Sequence, residues 1–100
     1  MTTMDDLAAW LVARGLHVRP APGWPKEAIF VSMASKQKGN IAILDNATIV
    51  HPSADGFVVT QTRHAGDRRS QTMATLPEAA HLVARLVETG DELLWRSDAG

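Results

Sequence analysis

One hundred residues with 45% apolar side chains and a formal charge of −1 describe one globular domain with a single modest core. That balance excludes a disordered chain, a globally basic nucleic-acid binder and a globally acidic mimic of DNA, so an electrostatic partner has to be met by a local patch. There is no cysteine, which removes disulfides, thiolate chemistry and sulfur-ligated zinc.

The chain opens MTTMDDLAAWLVARG, with acids where a secretion signal needs basic residues. No apolar run approaches the ~20 residues that span a bilayer, so a cytoplasmic location without a membrane partner is expected. Asn46-Ala47-Thr48 has the form of a glycosylation acceptor, which without an export signal reads as chance.

Thr3-Met4-Asp5-Asp6 resembles a capping box, and Asp5 and Asp6 suit the positive end of a helix dipole. Met4, Leu7, Trp10 and Leu11 then fall at helical spacing, with Ala8 and Val12 alongside, which predicts a helix over 4–14. Gly15 can supply a left-handed stop, with Leu16 folding back over the last turn. Pro20, Pro22 and Pro25 exclude helix from 19–26 and argue against a long edge strand there. Trp24 in this loop reads either as a lid on one edge of the core or as a partner-binding aromatic on a rigid loop.

Ile29, Phe30, Val31 and Met33 predict a strand within 27–35, followed by a turn at Ser35–Gly39. Residues 40–51 are read as one long strand bulged at Asp45-Asn46, in preference to a hairpin turn, because Asp-Asn lacks the glycine a tight turn favours. Pro52–Asp55 is the next loop. Phe57–His64 and Arg68–Ala74 then form a hairpin around Ala65-Gly66-Asp67.

Thr75-Leu76-Pro77-Glu78 is a second capping box, opening a helix over 76–89. Its apolar stripe is Leu76, Ala79, Ala80, Val83, Leu86 and Val87, with Glu78, His81, Arg85 and Glu88 on the other side and Gly90 as the stop. Leu93, Leu94 and Trp95 are too apolar to float free. Three large residues are too few for a typical stable interface, so docking on the same domain is preferred, with a monomer or weak homodimer as the oligomeric state. The expected architecture is α+β and two-layered, an antiparallel meander of three to five strands flanked by an N-terminal and a C-terminal helix. Both helices cover one sheet face, leaving the other to solvent or to binding.

Chemistry has little to stand on. His17, His51, His64 and His81 lie in different elements without paired-ligand spacing, and Gly39, Gly56 and Gly66 are isolated turn glycines, not a phosphate loop. Ser53 near His51 and Asp55 names the residues of a triad without a nucleophile elbow. Asp5-Asp6 and Asp91-Glu92 read as a cap and a solvated tail. No enzyme, no cofactor and no metal are expected.

The one directional constellation is basic. Arg63, His64, Arg68 and Arg69 surround the hairpin turn, and a single strand over 40–51 would bring Lys36 and Lys38 to the same end of the sheet. The plain account is a solvated hairpin whose charges protect its edge from aggregation. The functional account is an arginine-rich tip meeting phosphates or a carboxylate patch on another protein. Thr60, Gln61, Thr62, Ser70, Gln71 and Thr72 add an uncharged mid-strand surface, while aromatic stacking platforms are missing from the hairpin. The expectation is a small non-enzymatic protein-binding domain, an inhibitor of toxin-immunity or phage anti-defence (anti-CRISPR) type, with Trp24 and the basic residues above as its contact set. The rival is an accessory protein that binds nucleic acid through the basic rim.

Overall fold

The structure, a computed structural model, describes residues 1–33, 37–38, 41–42, 47–62 and 68–89, with the backbone alone at 37–38, 41–42 and 62. Helix α1 spans Met4–Ala13 and opens as the capping box requires. The Thr3 hydroxyl accepts the Asp6 N–H at 3.1 Å, and the Asp6 carboxylate accepts the Thr3 N–H at 3.1 Å and the Thr2 N–H at 2.8 Å. These bonds, those from Thr2 foremost, hold the Asp6 carboxyl below its ordinary value of 3.8. A depressed folded value means the cap is intact above pH 3.8 and is lost as pH falls through the lowered value. The protection factors of the Thr2 and Thr3 amides, which donate to the Asp6 carboxylate, should therefore fall on acidification, whereas Asp6→Asn should show reduced protection already at neutral pH and no acid step. An acid step retained in Asp6→Asn would contradict this assignment.

Met4, Leu7 and Leu11 are buried and Trp10 is half-buried, but Val12 stands off the stripe at 56% exposure. Arg14 caps the helix, and Gly15 at φ +88° reverses the chain into strand β1, Leu16–Pro20. The prolines had argued against a long edge strand at 19–26. The strand that forms is short, begins upstream and stops at Pro20 on the sheet edge, where a missing N–H is tolerated.

Strand β2, Ile29–Met33, matches its sequence signal. The long bulged strand over 40–51 does not form. Gln37–Lys38 (β3) pairs with Ile41–Ala42 (β4) in a separate two-stranded ladder, while Thr48–Ser53 (β5) joins the main sheet. The pairing of Gln37–Lys38 with Ile41–Ala42 ties β4 to β3, outside the main sheet that β5 joins, so the apolar pattern is divided between two sheets. Asp45-Asn46 lies outside the described residues.

Strands β6, Gly56–Thr62, and β7, Arg68–Met73, complete an antiparallel five-stranded sheet in the order β1-β2-β5-β6-β7. Helix α2, Leu76–Thr89, follows. At its start the Thr75 hydroxyl accepts the Glu78 N–H at 3.3 Å and donates to the Glu78 carboxylate at 2.9 Å, a variant of the reciprocal box in which both bonds use one hydroxyl. All six residues of the expected stripe are buried, joined by Leu82 and Ala84, and Glu78, His81, Arg85 and Glu88 are exposed.

Both helices pack on the same sheet face, where Leu16, Val31, Val50 and Val59 meet Leu7, Leu11, Val83 and Leu86. The fold is therefore the expected α+β arrangement. The polar stretch of the hairpin is divided between the two faces. Gln61 is buried on the helix side, its amide donating to the Thr48 hydroxyl at 3.4 Å, while Thr60 and Ser70 share a 2.9 Å hydroxyl contact on the opposite side. Among the described residues no helix is long and apolar enough to cross a membrane. The hairpin turn at 63–67 and the tail with Leu93, Leu94 and Trp95 lie outside the described residues.

Candidate functional site

The sheet face away from the helices carries its own apolar floor. Register places Arg19, Phe30, Ile49, Thr60 and Ser70 in one row from edge to edge. Phe30 and Ile49 are half-buried, although neither helix reaches this side. Their cover is the β1–β2 loop.

That loop is two turns in succession. The Trp24 N–H donates to the Ala21 carbonyl at 3.3 Å and the Ala28 N–H to the Pro25 carbonyl at 3.1 Å, while Ala21 N–H to Ala28 carbonyl at 3.1 Å extends the strand ladder beneath. Pro22 and Gly23, the latter at φ +85°, occupy the central positions of the first turn, the residues a type II turn demands. Prolines at 20, 22 and 25 restrict the loop further. Glu27 sits in the second turn at φ +66°, a left-handed conformation that costs a residue with a Cβ about 1 kcal/mol or more. Glu27→Gly should therefore raise stability by about 0.5 kcal/mol after the added flexibility of the unfolded chain is subtracted, read as a thermal midpoint higher by about 2 °C or more. A lower midpoint would show that the Glu27 side chain earns its strained position.

The turns carry Trp24 over the open face, outside the helix-side core, so it lids the sheet and not the core. The Arg68 guanidinium lies 5.0 Å from its ring centroid. Trp24 follows β1 and Arg68 begins β7, the two opposite edges, so this one contact spans the width of the face. Arg19 lies 4.7 Å over the Phe30 ring. Between Arg19, Pro20, Pro22, Trp24, Phe30 and Ile49 runs an open-sided groove of about 630 Å³, the size of a side-chain or small-ligand pocket.

Charge follows the same division. The helices and their caps carry Asp5, Asp6, Glu78 and Glu88 against Arg14 and Arg85, whereas the described strands and their loops carry Arg19, Lys26, Lys38, Arg68 and Arg69 against Glu27 and Asp55. Arg14 is bound in an ion pair with Glu88 at 2.9 Å; among the described residues neither Arg19 nor Arg68 has a carboxylate partner. Both guanidiniums lie over rings and neither makes a hydrogen bond among the described residues, an arrangement that suits paired bonds to a carboxylate or phosphate.

The basic residues singled out in the sequence are thus partly redistributed. Arg68 stacks on Trp24, which lines the groove. Arg69 is in register with Gln61, on the face opposite to that of Arg68. Lys38 is placed by its backbone in β3, and Lys36, Arg63 and His64 lie outside the described residues. The connections after Met33 and after Thr62 do leave from the same end of the sheet. Arg19, Phe30 and Ile49 were missed. Their available signals were Pro22-Gly23, a turn dipeptide that folds the loop back, and large apolar residues on both parities of β2 and β5, which a solvated face does not need.

The other polar side chains meet local partners. Trp10 meets His81 edge-on at 5.2 Å, with Arg14 over its other side at 4.9 Å, tying α1 to α2. His51 Nδ1 lies 3.0 Å from the Pro52 carbonyl, and Ser53 Oγ accepts the Asp55 N–H at 3.3 Å, so the His51 and Ser53 side chains are engaged with local backbone. Among the described residues no three histidine or carboxylate side chains gather closely enough to hold a metal ion. The chain matches no protein-family model, no curated protein and no solved structure.

Proposed function

We propose that the chain is a non-enzymatic protein-binding domain whose site is the groove between the Trp24 loop and Arg68, and that its role is to inhibit the protein it binds. The observation that carries this reading is the pairing of two ring-held arginines without carboxylate partners, among the described residues, with an apolar floor of Phe30 and Ile49. Arginine grips carboxylate through two parallel bonds, and the floor takes an adjacent apolar side chain. The ligand is therefore a peptide segment with a carboxylate beside a large apolar residue. The proline-restricted loop needs little ordering on contact, which favours affinity. Inhibition by occlusion suits a cytoplasmic chain of this size, of the toxin-immunity or anti-CRISPR kind.

The second reading is single-stranded nucleic acid, and Trp24 and Phe30 are the aromatics on the open face that would favour it. Both rings are already covered by guanidiniums, which ranks it second.

Panning a random peptide library against the purified chain tests the first reading. Selected peptides should pair Asp or Glu with a large apolar residue. Trp24→Ala, or Arg19→Ala with Arg68→Ala, should weaken them by about tenfold or more, while Arg69→Ala stays near wild type. Peptides indifferent to Trp24→Ala would overturn the groove as the site. Tight binding of oligothymidylate with a steep salt dependence would favour nucleic acid instead.

A further inference from the structure

We infer that the partner peptide binds as an extended strand along the outer edge of β1, its carboxylate and its large apolar residue separated by one residue. This rests on the protein-binding reading of the groove and adds the geometry of its ligand.

The edge is defined by the hydrogen bonds of β1, whose outer side meets no other strand among the described residues. The Ala21 N–H donates to the Ala28 carbonyl at 3.1 Å, and these two residues stand opposite each other when the β1–β2 register is continued. In an antiparallel ladder the backbone groups turn to a given neighbour at every second residue. His17, Arg19 and Ala21 therefore direct theirs to β2, and Leu16, Val18 and Pro20 direct theirs out of the sheet. Pro20 suits that side because it has no N–H to leave unpaired. The Leu16 and Val18 N–H groups have no backbone acceptor among the described residues. An extended peptide satisfies such an edge by adding a strand to it.

Side chains set the sequence this strand must carry. Leu16 and Val18 pack toward the helices, whereas Arg19 lies over Phe30 on the open face. Arg19, Pro20 and Ala21 continue from the edge into the groove wall. A peptide residue opposite Arg19 has its Cβ about 5 Å from that of Arg19, close enough for opposite charges to pair across strands. The next peptide residue to face the same side is two positions on, opposite Ala21, where Pro22 and Trp24 line the groove. Neighbours on this face are thus two positions apart in sequence, and consecutive residues would face opposite sides of the sheet. β1 itself reads Leu-His-Val-Arg-Pro, without an acid, so a second copy of this edge offers Arg19 no carboxylate. The occupant is a strand of another protein that does.

The test uses the full chain and the peptides selected from the random library. Those peptides should carry Asp or Glu and the large apolar residue at i and i+2. Methylating their backbone nitrogens one at a time should weaken binding by about tenfold or more at every second residue, where the N–H donates to the edge, and change little at the residues between. Saturating peptide should slow amide exchange at Val18 by about tenfold or more, with little change at Arg19, which is already bonded to β2. Peptides that depend on Trp24 yet tolerate methylation at every nitrogen, or that leave the Val18 amide unchanged, would overturn strand addition while the groove reading stands. Peptides that ignore Trp24→Ala would remove the groove reading itself. A Val18 amide already protected in the free chain would mean that the edge is covered and would overturn the inference; loss of that protection on dilution would identify the cover as a second copy.

Discussion

Gly56→Ala should be the most damaging small substitution in this chain, lowering stability by about 3 kcal/mol or more. Gly56 follows the two-residue Ala54-Asp55 turn, pairs with Ser53 and sits at φ +137°, where side chains are strained. A Cβ added there would stand 2.2 Å from the Met73 carbonyl oxygen and 3.1 Å from its carbon. Those atoms are backbone, so β6 and the end of β7 would have to separate. For a domain of this size the thermal midpoint should fall by about 12 °C or more. Gly15→Ala provides the control: its φ is +88° but nothing lies within 4 Å of the added carbon, so only the conformational penalty of about 1 kcal/mol applies. Equal losses in the two variants would show that the approach to Met73 relaxes easily.

Leu86→Ala should cost about 2–5 kcal/mol, the range for emptying a leucine site in a packed core. Leu86 is fully buried on α2, in the cluster with Leu7, Leu11, Val50 and Val59. The cavity would open between helix and sheet, because α2 packs across β2, β5 and β6 and cannot settle onto one strand without leaving the others. Denaturant unfolding measures the loss; a value under about 0.5 kcal/mol, typical of exposed positions, would contradict this packing. The groove lies on the far side of the sheet. Folded Leu86→Ala protein should therefore bind groove peptides as wild type does, whereas Trp24→Ala should cost less stability than Leu86→Ala and lose the peptide.

Much of the helix layer was legible because its determinants lie within a few residues of each other. Thr3 with Asp6 and Thr75 with Glu78 are three residues apart, and the stripe from Leu76 to Val87 repeats at the helical period. Val12 shows the limit of that reading: it lies beside the stripe in phase but outside the contact, which depends on where the helix is set down. The Phe57–Met73 hairpin was legible too, from two β-rich runs around a turn signal. Residues 40–51 were misread because apolar continuity does not show that Ile41–Ala42 pairs with Gln37–Lys38 while Thr48–Ser53 pairs in the main sheet.

The sequence by itself determined two capped amphipathic helices, an antiparallel sheet between them and the face on which both helices pack. The groove was decided only by tertiary structure. Its walls come from Arg19, Trp24, Phe30 and Ile49, on separate strands and a loop, and Arg68 reaches it only by stacking on Trp24. Strand register, set by long-range pairing, aligns Arg19, Phe30 and Ile49 in one row and sends Arg68 and Arg69 to opposite faces. Caps and helical periodicity act within a turn or two of chain, so a single sequence displays them. Register is settled by the burial of the whole opposite face, and no short stretch of sequence contains it.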